Sequence, residues 1–287
     1  MGSFEKYAGQ LPVIPEVASR ILSIGDDNPD FSFKNLEEII SLDPMLTSRI
    51  LKVANSALYA RQKEITTLQM AIGLLGFKNI KSLVLLLTAS QFSKELRSDP
   101  FYNGFWKHSI VTAFIAREIY YRNKDRVNQD KAFTLALLHD IGKVALFHSD
   151  PSLYGKVLEE AERGTDDFPA LERKYMETDH REVGAGVMEL WNLPDMFAAT
   201  AELHGIKDID SPYASIIRNI SVADFIAGKI GYGTIEETPT LDLAVYLEGA
   251  DVDEEDLSFF LQEYETIMKE DPLFLECGKL FFGKEAP

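Results

Sequence analysis

One cysteine, Cys277, among 287 residues excludes an internal disulfide. The fold must therefore rest on burial, and a reducing, cytoplasmic setting is expected. Basic side chains are also scarce: 29 Lys and Arg stand against 46 Asp and Glu, a formal charge of −17 with a pI near 4.7. A surface of that sign repels phosphate, which argues against nucleic acid as a partner and against general attraction to anionic membrane. No apolar run is long enough for a bilayer; the greasiest extends only from Leu83 to Leu87. The chain does not open with a basic flank followed by an apolar stretch, so no signal peptide is expected. Phosphate-cradling glycine loops, Cys-x-x-Cys pairs and Gly-x-Ser-x-Gly elbows are missing, and with them the chemistries they serve. Alternating β patterns are few, and no internal repeat is present.

What is present is ample core material: 46% of residues are hydrophobic and 26% charged, enough for one large core or two smaller ones. The charge is unevenly spread. Residues 1–97 hold 11 basic and 10 acidic side chains, whereas residues 98–287 hold 18 and 36. That shift, with the turn signal Ser98-Asp99-Pro100, divides the chain into a helical subdomain over 1–98 and a second over 99–287 that ends in an acidic extension. Arg49, Lys52, Arg61 and Lys63 are the basic concentration of the first half and read as a solvated face.

Helical signals run from end to end. Asp43-Pro44 reads as a cap followed by proline at the first helical position, with Leu46, Ile50, Val53 and Ala54 behind it at helical spacing. Thr67 caps a second helix that Gly76 ends, and a third runs from about Asn79 to Leu96. Further helices are expected over Phe101–Tyr121, Ala132–His139, Leu171–Leu190, Met196–Leu203, Tyr213–Ile230 and Glu254–Lys269.

Four of the five histidines and two aspartates form the series His108, His139-Asp140, His180, His204, Asp224. Imidazole nitrogen and carboxylate oxygen suit zinc, iron and manganese, and a carboxylate can bridge two ions. Asp140 and Asp224 both fall in strongly apolar surroundings, where an uncompensated acid is costly, and this favours a cation beside each. The plainer alternatives are a buried His–Asp pair, hydrogen-bonded core histidines at 108 and 180, and a helix-end cap at His204 before Gly205. Lys143 either meets a phosphate oxygen or compensates a helix end. His148 reads as a loop residue and Cys277 as inert.

The segments Leu11-Pro12-Val13-Ile14-Pro15, Asp43-Pro44-Met45-Leu46, Asn55-Ser56 and Ala71-Ile72-Gly73-Leu74-Leu75-Gly76 resemble the HDOD module, a bacterial signalling relative of the HD phosphohydrolases. Leu137-Leu138-His139-Asp140-Ile141-Gly142-Lys143, Asp179-His180, Val183-Gly184-Ala185 and Trp191-Asn192-Leu193-Pro194 continue the match, which covers most of residues 11–230. The resemblance implies an all-α fold, an N-terminal helical bundle packed on an HD-like helical domain, and a regulatory role through protein or ligand binding. By the superfamily's pattern, His108, His139, Asp140 and Asp224 would hold one divalent ion, and Asp140, His180 and His204 a second. Iron, manganese, zinc or magnesium are the candidates, with Glu182 or Asp179 orienting imidazoles. A metal-dependent phosphohydrolase acting on a phosphorylated small molecule or nucleotide is the alternative activity, with Lys143 on the phosphate; a di-iron oxygenase is a third. After His204 the chain reads Gly205-Ile206-Lys207-Asp208, without the Gly-Tyr-Pro stretch of the cyclic-dinucleotide phosphodiesterases, which argues against that substrate.

Overall fold

Side-chain caps written into the sequence start about half of the described helices. Ser32 and Asn35 form a reciprocal capping box, with Ser32 N–H donating to Asn35 Oδ1 at 2.9 Å, and this opens α2 (Phe33–Ser41) after α1 (Glu16–Leu22). Asp43 accepts from Met45 and Leu46 N–H at 2.9 and 3.0 Å and starts α3 (Pro44–Ala54). Thr67 caps α4 (Leu68–Leu75), and Gly76, at φ 82°, turns the chain into α5 (Phe77–Phe92). Asp99 caps α6 (Pro100–Arg122), whose 23 residues make it the longest element described. The computed structural model describes residues 7, 11, 14–24, 32–55, 65–92, 99–164, 167–233 and 247–282, and every regular element among them is a helix. No single helix among the described residues is long and apolar enough to cross a membrane.

The chain after α6 continues as α7 (Gln129–Leu138), α8 (Ile141–Ser149), α9 (Pro151–Ala161), α10 (Phe168–Met176), α11 (His180–Leu190), α12 (Asp195–Leu203) and α13 (Ala214–Ala227). A π-turn over Gly228–Tyr232 follows, then α14 (Glu254–Gln262), α15 (Tyr264–Glu270) and α16 (Pro272–Phe282). Several differ from the sequence expectation. The helix expected over Leu171–Leu190 is two, because Glu177 takes φ 63° and Asp179 caps a fresh start. The helix expected over Glu254–Lys269 likewise breaks at Glu263. His148 is exposed on α8, not in a loop.

Contacts divide the chain into two units that differ from the 1–98 and 99–287 division at both chain ends: 14–96 with 270–287, and 1–13 with 97–269. The ends change sides for packing reasons. Leu280 of α16 lies against the cluster that Ile21, Leu36, Ile40, Ile50, Ala71 and Val84 build from α1–α5. Tyr7 donates its hydroxyl to Met176 O at 2.9 Å in the other unit. Within the first of these units, Asn55 ends α3 and ties the returning chain, giving Nδ2–H to Ile65 O at 2.7 Å and accepting from Ile65 N–H at 2.8 Å. Arg49 donates to Leu87 O at 3.4 Å; Ser56, Arg61 and Lys63 lie outside the described residues.

The larger unit is built around α6. Its Phe101 stacks on Phe147 with centroids 4.4 Å apart, Phe114 meets Phe133 edge-on at 5.4 Å, and Tyr264 donates its hydroxyl to Phe114 O at 2.9 Å. Gly142 decides how α8 meets α11. A Cβ built there would overlap His180 O and come within 2.7 Å of Gly184 N. The two backbones touch, and that contact sets His180 beside the His139-Asp140 turn.

Candidate metal centre

Six elements converge on one buried point. α6 carries His108, the turn between α7 and α8 supplies His139 and Asp140, and α8 adds Lys143 one turn later. α11 begins with His180, α12 ends at His204, and α13 carries Asp224. All six residues of the expected ligand series are therefore brought together. The four histidines and Asp140 are no more than 3% exposed, while the Asp224 side chain, at 28%, marks the edge that solvent reaches.

Asp140 sits at the middle. Its Oδ1 lies 3.2 Å from His204 Nε2 and 3.6 Å from His180 Nε2. Its Oδ2 lies 3.5 Å from His139 Nε2, 3.6 Å from His108 Nε2 and 2.8 Å from Lys143 Nζ. Asp224 Oδ1 faces His108 Nε2 at 3.0 Å and His139 Nε2 at 3.8 Å. Lys143 is itself buried, with its ammonium 4.9 Å from the centre of the Phe168 ring. In this geometry Lys143 holds the central carboxylate, so helix-end compensation is not its principal contact.

The outer nitrogen of each ring is already committed. Nδ1 of His108 lies 2.9 Å from Tyr232 O, that of His139 2.6 Å from Ala136 O, and that of His204 2.8 Å from Ala201 O. A carbonyl can only accept, so in these three rings Nδ1 carries the proton. Nδ1 of His180 faces a carboxylate instead, Glu172 Oε2, at 2.5 Å. With Nδ1 protonated, a neutral ring turns the Nε2 lone pair toward the aspartates. His139 Nε2 and Asp140 Oδ1 are buried without a hydrogen-bond partner, while Asp140 Oδ2 is met by the Lys143 ammonium and His108 Nε2 by Asp224. Lone pairs that converge at such distances in a dry interior favour a further cation beside that ammonium.

The electrostatics agree at His139 and His180. Burial holds His139 down at about 4 and, with Lys143 adding to it, His180 at about 3, so both rings stay neutral as metal ligands must. Burial works against ionising Asp140, but the Lys143 ammonium and the imidazoles hold its carboxyl well below the usual range. Burial also pulls His108 down, yet Asp224 beside it outweighs this and leaves it raised, and Asp224 is lowered in return. Two trios have ligand atoms all within 4.8 Å of one another: His108, His139 and Asp224, and His139, Asp140 and His204. The residues fit a metal ion. Four imidazoles and two carboxylates suit iron, manganese or zinc better than magnesium, which prefers an all-oxygen shell.

Two expectations change. Asp179 does not orient an imidazole; it caps α11, accepting from Arg181 and Glu182 N–H at 2.9 and 3.0 Å, and pairs with Arg173. Glu182 accepts from the Thr178 hydroxyl at 2.6 Å. The residue that does brace a ligand is Glu172, fully buried, which also accepts from His180 N–H at 2.9 Å and the Tyr154 hydroxyl at 2.7 Å. Burial pushes its carboxyl up to about 8. Its role depends on the break at Glu177, which the unbroken helical pattern over Leu171–Leu190 hides; the Asp179 cap was the available signal.

Comparison with known proteins gives this geometry a context. The HDOD domain profile matches residues 11–206. A curated relative, an uncharacterized protein of Treponema pallidum (strain Nichols), is 24% identical over 236 residues, 79% of this chain and 45% of that protein, so the chain spans about half of its length. Among solved structures, a protein of Marinobacter aquaeolei VT8 provisionally named as a signal transduction protein superposes with a TM-score of 0.76 at 22% identity, covering 94% of this chain and 60% of that one. A protein of Shewanella amazonensis SB2B, provisionally named as a metal-dependent phosphohydrolase, superposes at 0.55 with 25% identity, covering 92% and 94%.

Proposed function

The chain belongs to the HDOD family, and from that premise we propose that it is a signalling module whose HD-like centre holds one or two divalent ions. The observation that carries the reading is the convergence of four buried imidazole Nε2 atoms and the Asp224 carboxylate on Asp140, with the Lys143 ammonium a fixed cation among them. A degenerate centre would be expected to have replaced such atoms, since each is costly to bury without a cation. His108, His139, Asp140 and Asp224 would hold one ion, and Asp140, His180 and His204 the other. In the regulatory form of this reading, a ligand or ion bound at the centre changes the arrangement of α6, α11 and α13, and a protein partner reads that change.

A phosphohydrolase is the second reading, and one observation favours it: the centre has an edge open to solvent at Asp224 while Lys143 supplies a fixed positive charge within it. An ion held there would supply a Lewis acid for a phosphoryl oxygen. This chain's own residues would then orient the ester, with the Lys143 ammonium moving from Asp140 to the phosphate.

Elemental analysis of protein purified without chelators, beside a His139→Ala/Asp140→Ala variant, tests the shared premise. One or two equivalents of metal, lost in the variant, is the expected result. A broad phosphoester panel with the loaded protein then separates the readings: turnover abolished in the variant supports the hydrolase, and no turnover leaves the regulatory module. Folded wild-type protein that takes up no metal at all would remove the premise.

A further inference from the structure

Glu172 is the feature of the centre that the ligand series alone does not explain. Three of the four imidazoles are braced by neutral carbonyls: His139 and His204 by Ala136 and Ala201 within their own helical turns, and His108 by Tyr232. His180 alone is braced by a carboxylate, and that carboxylate is wholly buried. Burying an acid costs several kcal/mol unless it is answered by donors. Glu172 is answered at three points, by the ring Nδ1–H and the backbone N–H of His180 and by the Tyr154 hydroxyl. Tyr154 is fully buried and fixed in turn by edge contacts with Phe101 and Phe168, with centroids at 5.4 and 6.5 Å.

Resting on the metal reading above, we infer that Glu172, held by Tyr154, is a positioning residue that fixes the orientation and tautomer of the His180 ring and so secures the ion on the Asp140, His180 and His204 side. The carboxyl oxygen 2.5 Å from Nδ1 keeps the far nitrogen of the ring turned to the ion. The same oxygen also takes the His180 backbone N–H, so ring and backbone are held by one atom. Orientation is fixed before an ion arrives, and little rotamer freedom remains to be lost on binding.

The test is a competition titration of zinc and cobalt(II) against a chromophoric chelator, using wild type, Glu172→Gln, Tyr154→Phe and, as a reference, His180→Ala. Glu172→Gln keeps the shape and an acceptor but removes the charge. It should weaken one ion by roughly 10–100-fold and leave any second ion near its wild-type affinity. The cobalt(II) absorption spectrum should change in the same variant, because the field from His180 changes. Tyr154→Phe should act in the same direction with smaller effect, and it decides the matter if Glu172→Gln does not fold. Thermal melts of the chelator-treated proteins separate positioning from packing: Glu172→Gln keeps the side-chain shape and should melt close to wild type. Wild-type affinity and spectrum in Glu172→Gln and Tyr154→Phe, with His180→Ala losing an ion, would overturn this inference alone. Wild-type protein that binds neither metal would overturn the metal reading beneath it as well.

Discussion

The two units bury different materials. In residues 14–96 with 270–287 the core cluster is aliphatic, made of Leu, Ile, Val and Ala from α1 to α5. Where charge is buried among the described residues of that unit it is answered at once: the Lys81 ammonium donates to Ile24 O at 2.7 Å, and Glu276 pairs with Lys279 at 2.9 Å. In residues 97–269 the interior holds His108, His139, Asp140, Lys143, Glu172, His180 and His204 around one point. The first interior gains about 1.5–3 kcal/mol per large side chain simply by leaving water. The second gives up part of that gain to keep ionisable groups dry. The comparison therefore assigns a role to each unit: one is held by volume, the other by geometry and charge.

Substitutions that break this division should do so unequally. Gly142→Ala has the largest expected effect, because the new methyl overlaps the backbone of α11 at His180 and cannot be absorbed by a side-chain rotation. A loss of about 4 kcal/mol is expected, together with loss of metal binding, read by chemical denaturation and elemental analysis. Protein of wild-type stability would mean that α8 and α11 do not cross this closely. Ile40→Ala should cost about 3 kcal/mol through the cavity it leaves in the aliphatic cluster. It should raise hydrogen exchange in α2–α5 while leaving metal content unchanged. A fall in metal content would show that the two units do not divide labour as described.

Acid should distinguish the units next. In chelator-treated protein, burial keeps His139 and His180 neutral down to about 4 and 3, whereas the unfolded chain protonates them near 6.5. Their folded pKa values are depressed, so the stability they contribute is complete above 6.5 and lost as pH falls toward 4. Glu172 acts oppositely. Its carboxyl is raised to about 8, so it stabilises the fold below about 4.5 and loses that contribution as pH rises through 8. Between 6.5 and 4.5 the unfolded chain takes up two protons at the histidines, against one retained by folded Glu172, a net of one. Stability should drop by about 2–3 kcal/mol across that window. The aliphatic cluster carries no ionisable group, so hydrogen exchange in α2–α5, corrected for intrinsic rates, should stay flat. Equal acid sensitivity in both units would end the distinction.

How much of this was legible in the sequence follows the same physics. The candidate ligand series was readable because four of the five histidines fall into one spaced series with Asp140 and Asp224, and because those two acids stand in an apolar context, Asp224 between Ala223 and Phe225 being the clearest. The helix starts at Asp43 and Thr67 were readable because capping is local. What depends on distant approach was not. Gly142 looks like a helix end and is instead a crossing point with Gly184. Glu172 looks like one charge among several on a polar helix face and is instead buried, because Glu177 takes a left-handed turn that no glycine announces. The three carbonyl braces belong to backbone atoms and leave no mark on the sequence.

The smallest effect tests whether a purely local device in the aliphatic unit stays local. Ser32 accepts from Asn35 N–H at 3.3 Å while Asn35 accepts from Ser32 N–H at 2.9 Å, both at an exposed helix start. Ser32→Ala removes one acceptor and leaves the Asn35 N–H to water, so about 1 kcal/mol is expected, and less if Asn35 keeps its own half of the box. Exchange should rise in the first turn of α2 and nowhere in α11 or α13. Ser32 is exposed and meets the aliphatic cluster only through its carbonyl, which accepts from Leu36 N–H at 3.2 Å, and it is not among the residues of the candidate metal centre. Loss of metal from Ser32→Ala would therefore mean that the aliphatic unit is coupled to the centre, and the regulatory reading would gain the bistable element it needs.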